Sequence, residues 1–174
     1  MWYVVQVRTG TEESIRSQCE NHISEAILDR CFIPYYEEKR RIRGEWTLKR
    51  KVLFPGYIFV VTEYLEDLYE KLRTVIGMTK VLKTGEAFVP LSEKEVDFLK
   101  DFGGEEQVVE MSEGVIENDK ILVQFGPLMG REGLIKKIDR HKRKAYLELE
   151  MFGRIMKAEV GLEIVAKMEE VGRY

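Results

Sequence analysis

Leu53-Phe54-Pro55-Gly56-Tyr57-Ile58-Phe59-Val60 reads as a tight turn that runs straight into a strand. Pro and Gly supply the turn, and the aromatic and β-branched run from Tyr57 to Thr62 supplies the strand. Alternation puts Tyr57 and Phe59 on one face and Ile58 and Val60 on the other. Both faces are apolar, whereas a sheet in a small domain often has helices for only one. The expectation is an exposed aromatic patch around Phe54, Pro55, Tyr57 and Phe59, and such a patch signals a partner.

Working outward, Trp2 to Val7 is a short apolar run that predicts a buried strand. It has no basic leader and no cleavage site, so it belongs to the fold. Thr9 and Glu12 have the spacing of a capping box, and Ile15, Cys19, Ile23 and Ala26 recur at helical intervals. Arg30 to Glu37 predicts a second strand, with Pro34 marking an edge or bulge. Lys39 to Lys51 predicts a hairpin with its tip near Gly44. After the Tyr57 strand come a short helix (Leu65, Leu68, Leu72) and a strand from Thr79 to Lys83. Ser92 and Glu95 then open a helix carrying Val96, Leu99 and Phe102, which Gly103-Gly104 ends.

Residues 104–114 hold four acids (Glu105, Glu106, Glu110, Glu113) and no base, the composition of a solvated linker. Beyond it the period changes to two. Ile121–Phe125, Gly133–Ile138, Ala145–Met151 and Ile155–Val160 predict strands, with Leu162–Ala166 a fifth, at the spacing of a small barrel. The expected class is α+β: an α/β sandwich over 1–103, a linker over 104–114, and a β-barrel over 115–174 that stays β in the full chain.

The net charge of −3 hides two basic clusters. Lys39, Arg40, Arg41, Arg43, Lys49, Arg50 and Lys51 stand against the single acid Glu45 over thirteen residues. That is a solvated hairpin or a grip on a phosphate backbone, and Trp46 inside it adds a ring on which an unpaired base can stack. The second cluster is Lys136, Lys137, Arg140, Lys142, Arg143 and Lys144 around one barrel turn, with Arg131 and Arg154 near it. It reads either as the polar turn of a hairpin or as a surface for RNA.

Other chemistries are poorly served. No apolar run approaches the roughly 20 residues of a membrane span. Cys19 and Cys31 make no disulfide framework, and Cys19 falls on the apolar helix stripe. His22 and His141 lack a second ligand at metal spacing. Gly126 to Gly133 is no P-loop, since no Lys-Ser or Lys-Thr follows. No catalytic residues and no cofactor are expected, which weighs against a nucleic-acid-processing enzyme. The compartment expected is the cytoplasm and the state a monomer.

Trp2-Tyr3-Val4-Val5, Phe32-Ile33-Pro34, Phe54 to Val60 and Val89-Pro90-Leu91-Ser92, in this order, resemble the N-terminal domain of the NusG family. Asn118 to Val123, Gly126-Pro127-Leu128-Met129-Gly130-Arg131-Glu132-Gly133 and Met151 to Arg154 resemble the KOW domain of the same family. The resemblance implies a transcription elongation factor whose aromatic patch meets the clamp-helix coiled coil of the RNA polymerase β′ subunit. The basic stretch Arg40 to Gly44 and the Leu53 to Val60 run look closer to specialised paralogues of the LoaP and RfaH kind, LoaP the nearer. That implies processive antitermination recruited by a nascent RNA hairpin. The alternative is a housekeeping NusG coupled to Rho or the ribosome. Leu128-Met129 stands where that type carries an aromatic residue, which puts both of those partners in doubt. DNA reading by the first helix is disfavoured, because it opens with Glu12 and Glu13.

Overall fold

A computed structural model describes residues 1–77 and 88–168. The strand expected over Thr79–Lys83 lies outside them. The chain divides into two compact units, one of residues 1–34 and 54–98, the other of residues 35–53 and 99–174.

The first unit is built on an antiparallel sheet with strand order β2-β5-β1-β6. Its strands are β1 (Trp2–Gln6), β2 (Arg30–Phe32), β5 (Tyr57–Val61) and β6 (Phe88–Pro90). β1 and β5 pair with Val4 opposite Phe59, and β2 adds Phe32 to the same row. Helices α1 (Glu12–His22) and α2 (Leu65–Leu72) bury Ile15, Cys19, Leu68 and Leu72. The expected run of α1 to Ala26 stops four residues early, since Ser24 heads a separate turn that takes N–H donors from Ile27 and Leu28. The Thr9–Glu12 box is replaced by a different device. Buried Glu12 accepts the N–H of Gly10 at 2.9 Å and that of Gly56 at 2.8 Å. It thereby ties the start of α1 to the turn before β5. That turn has Pro55 second and Gly56 third with φ +88°, a conformation that glycine takes without Cβ strain. Helix α3 (Glu93–Gly103) opens with the capping box read from the sequence: Glu95 N–H donates to Ser92 Oγ at 3.2 Å, and Ser92 N–H to the Glu95 carboxylate at 3.0 Å.

The expected strand from Arg30 to Glu37 is two strands. Pro34 donates no ladder hydrogen bond, and the chain there leaves the first sheet for another. In the second unit β3 (Tyr35–Ile42) and β4 (Glu45–Val52) form a hairpin with a two-residue turn, Arg43 (φ +50°) and Gly44 (φ +82°). Positive φ at both positions gives the tight turn whose twist suits paired strands. β7 (Val108–Val109) adds a parallel edge to β3.

The other sheet has the order β10-β11-β12-β8-β9. It comprises β8 (Ser112–Glu117), β9 (Lys120–Phe125), β10 (Ile135–Asp139), β11 (Lys144–Met151) and β12 (Arg154–Met168). Within residues 115–168 the regular structure is β, as the alternation predicted, apart from one short 3-10 turn at Glu132–Leu134. The two strands expected over 155–166 are one continuous strand.

The acidic segment is not the solvated linker expected over 104–114. Gln107, Val108, Val109 and Ser112 are buried. The Gln107 side-chain amide donates to the carbonyls of Leu99 and Gly104, each at 2.9 Å, and so caps the end of α3. The acids sit at exposed positions while the residues between them are packed. Charge counting over a window averages these two faces together. Residues 35–53, expected within the N-terminal domain, group instead with the C-terminal strands.

Candidate protein and nucleic-acid interfaces

The aromatic patch is the first correction. Phe54 and Phe59 are fully buried, Tyr57 is half-buried, and only Pro55 is exposed. Phe59 stacks on Phe32 with ring centres 5.3 Å apart, Phe54 lies 6.1 Å from Phe59, and Trp2 meets Phe32 edge-on at 5.1 Å. Arg30 covers Phe32 at 4.5 Å. The face thought to lack cover is thus packed by its own large rings, which interlock at favourable offset and edge geometries. Pro55 and Tyr57 remain as surface elements of this turn.

The basic residues divide into two kinds. Some are locked in ion pairs that join the β3–β4 hairpin to β11 and β12. Lys144 reaches Glu38 at 2.6 Å and Glu159 at 3.4 Å, and Lys51 reaches Glu38 at 3.3 Å. Arg40 adds a contact to Glu38 at 3.1 Å. Lys39 and Arg143 share Glu163 at 3.0 and 3.3 Å. Tyr36 Oη donates to Glu159 at 3.1 Å. Lys144, placed in the RNA set from sequence, is buried and belongs to this cluster, so it is corrected to a structural residue. Lys144 is the first residue of β11, paired with Asp139 on one side and Gly161 on the other, whereas Lys142 lies in the exposed loop before the strand.

The electrostatics follow from that packing. Burial alone would raise the Glu38 pKa, but hydrogen bonding and charge from Lys144 and Lys51 outweigh it and hold the carboxyl below its usual range. Burial opposes the Lys144 charge, yet Glu38 and Glu159 keep the ammonium above its ordinary value. The Lys39 hydrogen bond holds Glu163 low. Burial and then Glu159 push the Tyr36 phenol up, so it stays a donor.

The remaining cations are at the surface. Arg41, Arg43 and Lys49 lie exposed on the hairpin, as does Arg50 with Glu106 at 3.9 Å. Lys136, Lys137, Arg140, Lys142 and Arg154 are exposed on the five-stranded part, Lys137 standing 5.6 Å from the Tyr146 ring centre. Arg131 pairs with Asp101 and lies 5.8 Å from the Phe102 ring centre, away from an open basic role. The β10–β11 loop is held in shape by Lys142 N–H donating to Asp139 at 2.9 Å, a bond that keeps the Asp139 carboxyl low. At its end Arg143 (φ +53°) lays its guanidinium 3.5 Å from the Trp46 ring centre. Two clusters far apart in sequence therefore share one surface of the second unit.

Sequence reasoning missed the acids that organise this surface. Glu38 carried a signal: it is two residues from Tyr36 on a strand, so it shares that residue's buried face. Glu159 and Glu163 gave none. Among the described residues no group of His, Cys, Asp and Glu could hold a metal ion, and no helix is long and apolar enough to cross a membrane. Both cysteines are buried, and the Cys31 thiol is pushed up by its hydrogen bond with Cys19 and by burial.

The chain combines an aromatic-rich antiparallel sheet with a C-terminal β unit carrying exposed cations, and comparison with known proteins gives this α+β architecture a family. Residues 1–100 match the family described as transcription termination factor nusG. The chain is 30% identical over 176 residues to the transcription termination/antitermination protein NusG of Halalkalibacterium halodurans, covering 96% of this chain and 98% of that one. The corresponding protein of Bacillus subtilis is 27% identical, with 96% and 98% covered. A solved structure concerning domain interaction in Thermotoga maritima NusG shares the fold, with a TM-score of 0.55, 23% identity and 92% of each chain covered. The chain belongs to the NusG family of transcription termination/antitermination factors.

Proposed function

We propose that this family member is a processive antitermination factor of the LoaP kind, tethered to RNA polymerase through its first unit and recruited by nascent RNA through its second. The observation that carries the reading is the shared basic surface of the β3–β4 hairpin and the β10–β11 loop. Phosphate contacts release counterions and supply affinity, while exposed aromatic and guanidinium planes favour unpaired bases. A basic hairpin docked against the five-stranded part presents more cations together than either could alone.

The polymerase contact assigned to the first unit is the β′ clamp-helix coiled coil, an apolar ridge that surface aromatic groups can grip. With Phe54 and Phe59 in the core, Tyr57 and Pro55 are the groups available to touch it, and the buried rings support them. Binding there would bridge the clamp and oppose the opening that accompanies pausing. The C-terminal strands are then a KOW-type module. The factor acts as a monomer in the cytoplasm, without catalysis.

A housekeeping role coupled to Rho or the ribosome is the second reading, favoured by similarity to curated NusG proteins along nearly the whole chain. A reconstituted transcription assay separates the two. A LoaP-type factor raises readthrough of a terminator only when its leader RNA hairpin has been transcribed upstream. Readthrough or termination that ignores the leader would leave the housekeeping reading.

A further inference from the structure

Arg41, Trp46, Arg140, His141 and Arg143 line an open cleft of about 300 Å³ in the second unit. Its chemistry is unlike that of a simple basic patch. Arg143 lies against one face of the Trp46 indole and is itself balanced by Glu163 at 3.3 Å, so it holds the ring upright more than it adds net charge. That leaves the ring one face, and Trp46 is 43% exposed. Arg41 projects from the position directly across the hairpin from Trp46, and among the described residues its Nε contacts only the Gly44 carbonyl, at 3.4 Å. Arg140 makes no ion pair among the described residues. The cleft therefore offers a flat apolar platform flanked by two guanidinium groups free to bind an anion.

The geometry points to a pocket for one nucleotide, its base stacked on the open face of Trp46 and its phosphate held by Arg41 and Arg140. This rests on, and sharpens, the RNA-recruitment reading: the partner is an unpaired nucleotide presented by an RNA loop or bulge, not the phosphate backbone of a continuous duplex. The cleft is about the size of a single nucleotide. Guanidinium groups grip phosphate oxygens through paired N–H donors. A stacked base makes sequence-tolerant contact with an aromatic ring. An acidic peptide would use the arginines but leave the ring unoccupied. The pocket exists only because the hairpin is docked, since Arg41 and Trp46 come from β3 and β4 while Arg140, His141 and Arg143 come from the β10–β11 loop.

Trp2 and Trp46 are the only tryptophans, so a Trp2→Phe chain reports Trp46 alone by fluorescence. The probes are an RNA hairpin with an unpaired loop, a blunt duplex with the same number of phosphates, adenosine 5′-monophosphate and inorganic phosphate. Affinity is measured in parallel by anisotropy on the unmodified chain and on Trp46→Leu, with melting as a check on folding. The loop RNA should quench Trp46 and the duplex should not. Trp46→Leu should lose roughly tenfold in loop-RNA affinity, the worth of one stacked base, and change duplex affinity less than twofold. Equal binding of loop RNA by the unmodified chain and Trp46→Leu overturns the pocket and leaves RNA recruitment standing. Quenching by adenosine monophosphate but not by phosphate, with no RNA binding, supports the pocket with a free nucleotide as its source and removes RNA recruitment. Quenching by phosphate alone, or by no probe, overturns the pocket.

Discussion

Lys144 on β11 donates to Glu38 on β3 across 2.6 Å, with their side chains only 9% and 5% exposed. Among the described residues this is the most enclosed ion pair between the hairpin and the strands it lies on. It makes the position of the hairpin a property of the fold. A buried pair of this kind is costly to desolvate, so its removal is more informative than its presence.

Glu38→Ala leaves the Lys144 ammonium with the half-exposed Glu159 as its one remaining ion-pair partner among the described residues. The expected loss is about 3 kcal/mol, the lower end for breaking a buried pair. Replacing both residues with Met should recover most of it, because two apolar side chains need no partners. Urea unfolding of the single and double variants measures this, and a double variant as unstable as the single would count against the assignment.

The pH dependence follows from the signs. The depressed Glu38 carboxyl contributes stability above its unfolded pKa of about 4.3 and loses it as pH falls through the lower folded value. The raised Lys144 ammonium contributes below its unfolded pKa of about 10.4 and loses that as pH rises through the higher folded value. Glu163, held low by Lys39, adds to the acid limb. Unfolding midpoints followed across pH should fall on both flanks, and Glu38→Gln should flatten the acid flank. An unchanged acid slope in that variant would show that other carboxyls set it.

Gly161 on β12 lies against the hairpin. A Cβ there would run into the Met111 thioether and stand 2.6 Å from the Glu37 carbonyl oxygen, which is backbone and cannot rotate away. Gly161→Ala should cost about 1–3 kcal/mol as overpacking. It should also displace the hairpin enough to disturb the Arg143–Trp46 stack. Near-ultraviolet circular dichroism of the indole reads that change, and an unaltered spectrum would mean the alanine is absorbed elsewhere.

Much of this was legible in the chain itself. The Ser92–Glu95 box, the Arg43-Gly44 turn and the alternating C-terminal strands formed where local chemistry placed them, because each depends on neighbours in sequence. What failed depended on distant partners. Phe59 is hidden by Phe32, and Lys144 by Glu38, pairings that no window contains. The segment 104–114 misled for a related reason: its acids face out while Gln107 and Val108 pack inward. Of the candidate RNA residues, the two clusters were visible from charge, but their meeting around Trp46 was not.

The corrected aromatic assignment gives a clean contrast. Phe59→Ala removes a fully buried ring and should cost about 3–5 kcal/mol of stability. Tyr57→Ala should leave the melting temperature within a few degrees yet weaken polymerase capture by roughly tenfold or more, as a hot-spot aromatic does. Pulldown with core polymerase beside a melting curve checks both. A Tyr57→Ala chain that binds polymerase normally would move the contact elsewhere.

The most direct test of the shared basic surface is the salt dependence of RNA binding. The logarithm of the affinity for a leader hairpin is followed against the logarithm of salt concentration. The comparison includes the unmodified chain, Arg41→Ala from the hairpin, and Lys142→Ala from the β10–β11 loop. Each lost phosphate contact should reduce the slope by up to about one unit, and both variants should do so although they lie far apart in the sequence. Binding no tighter than about 10⁻⁴ M, the weak end of non-specific association, or a slope that neither substitution changes, would contradict the account.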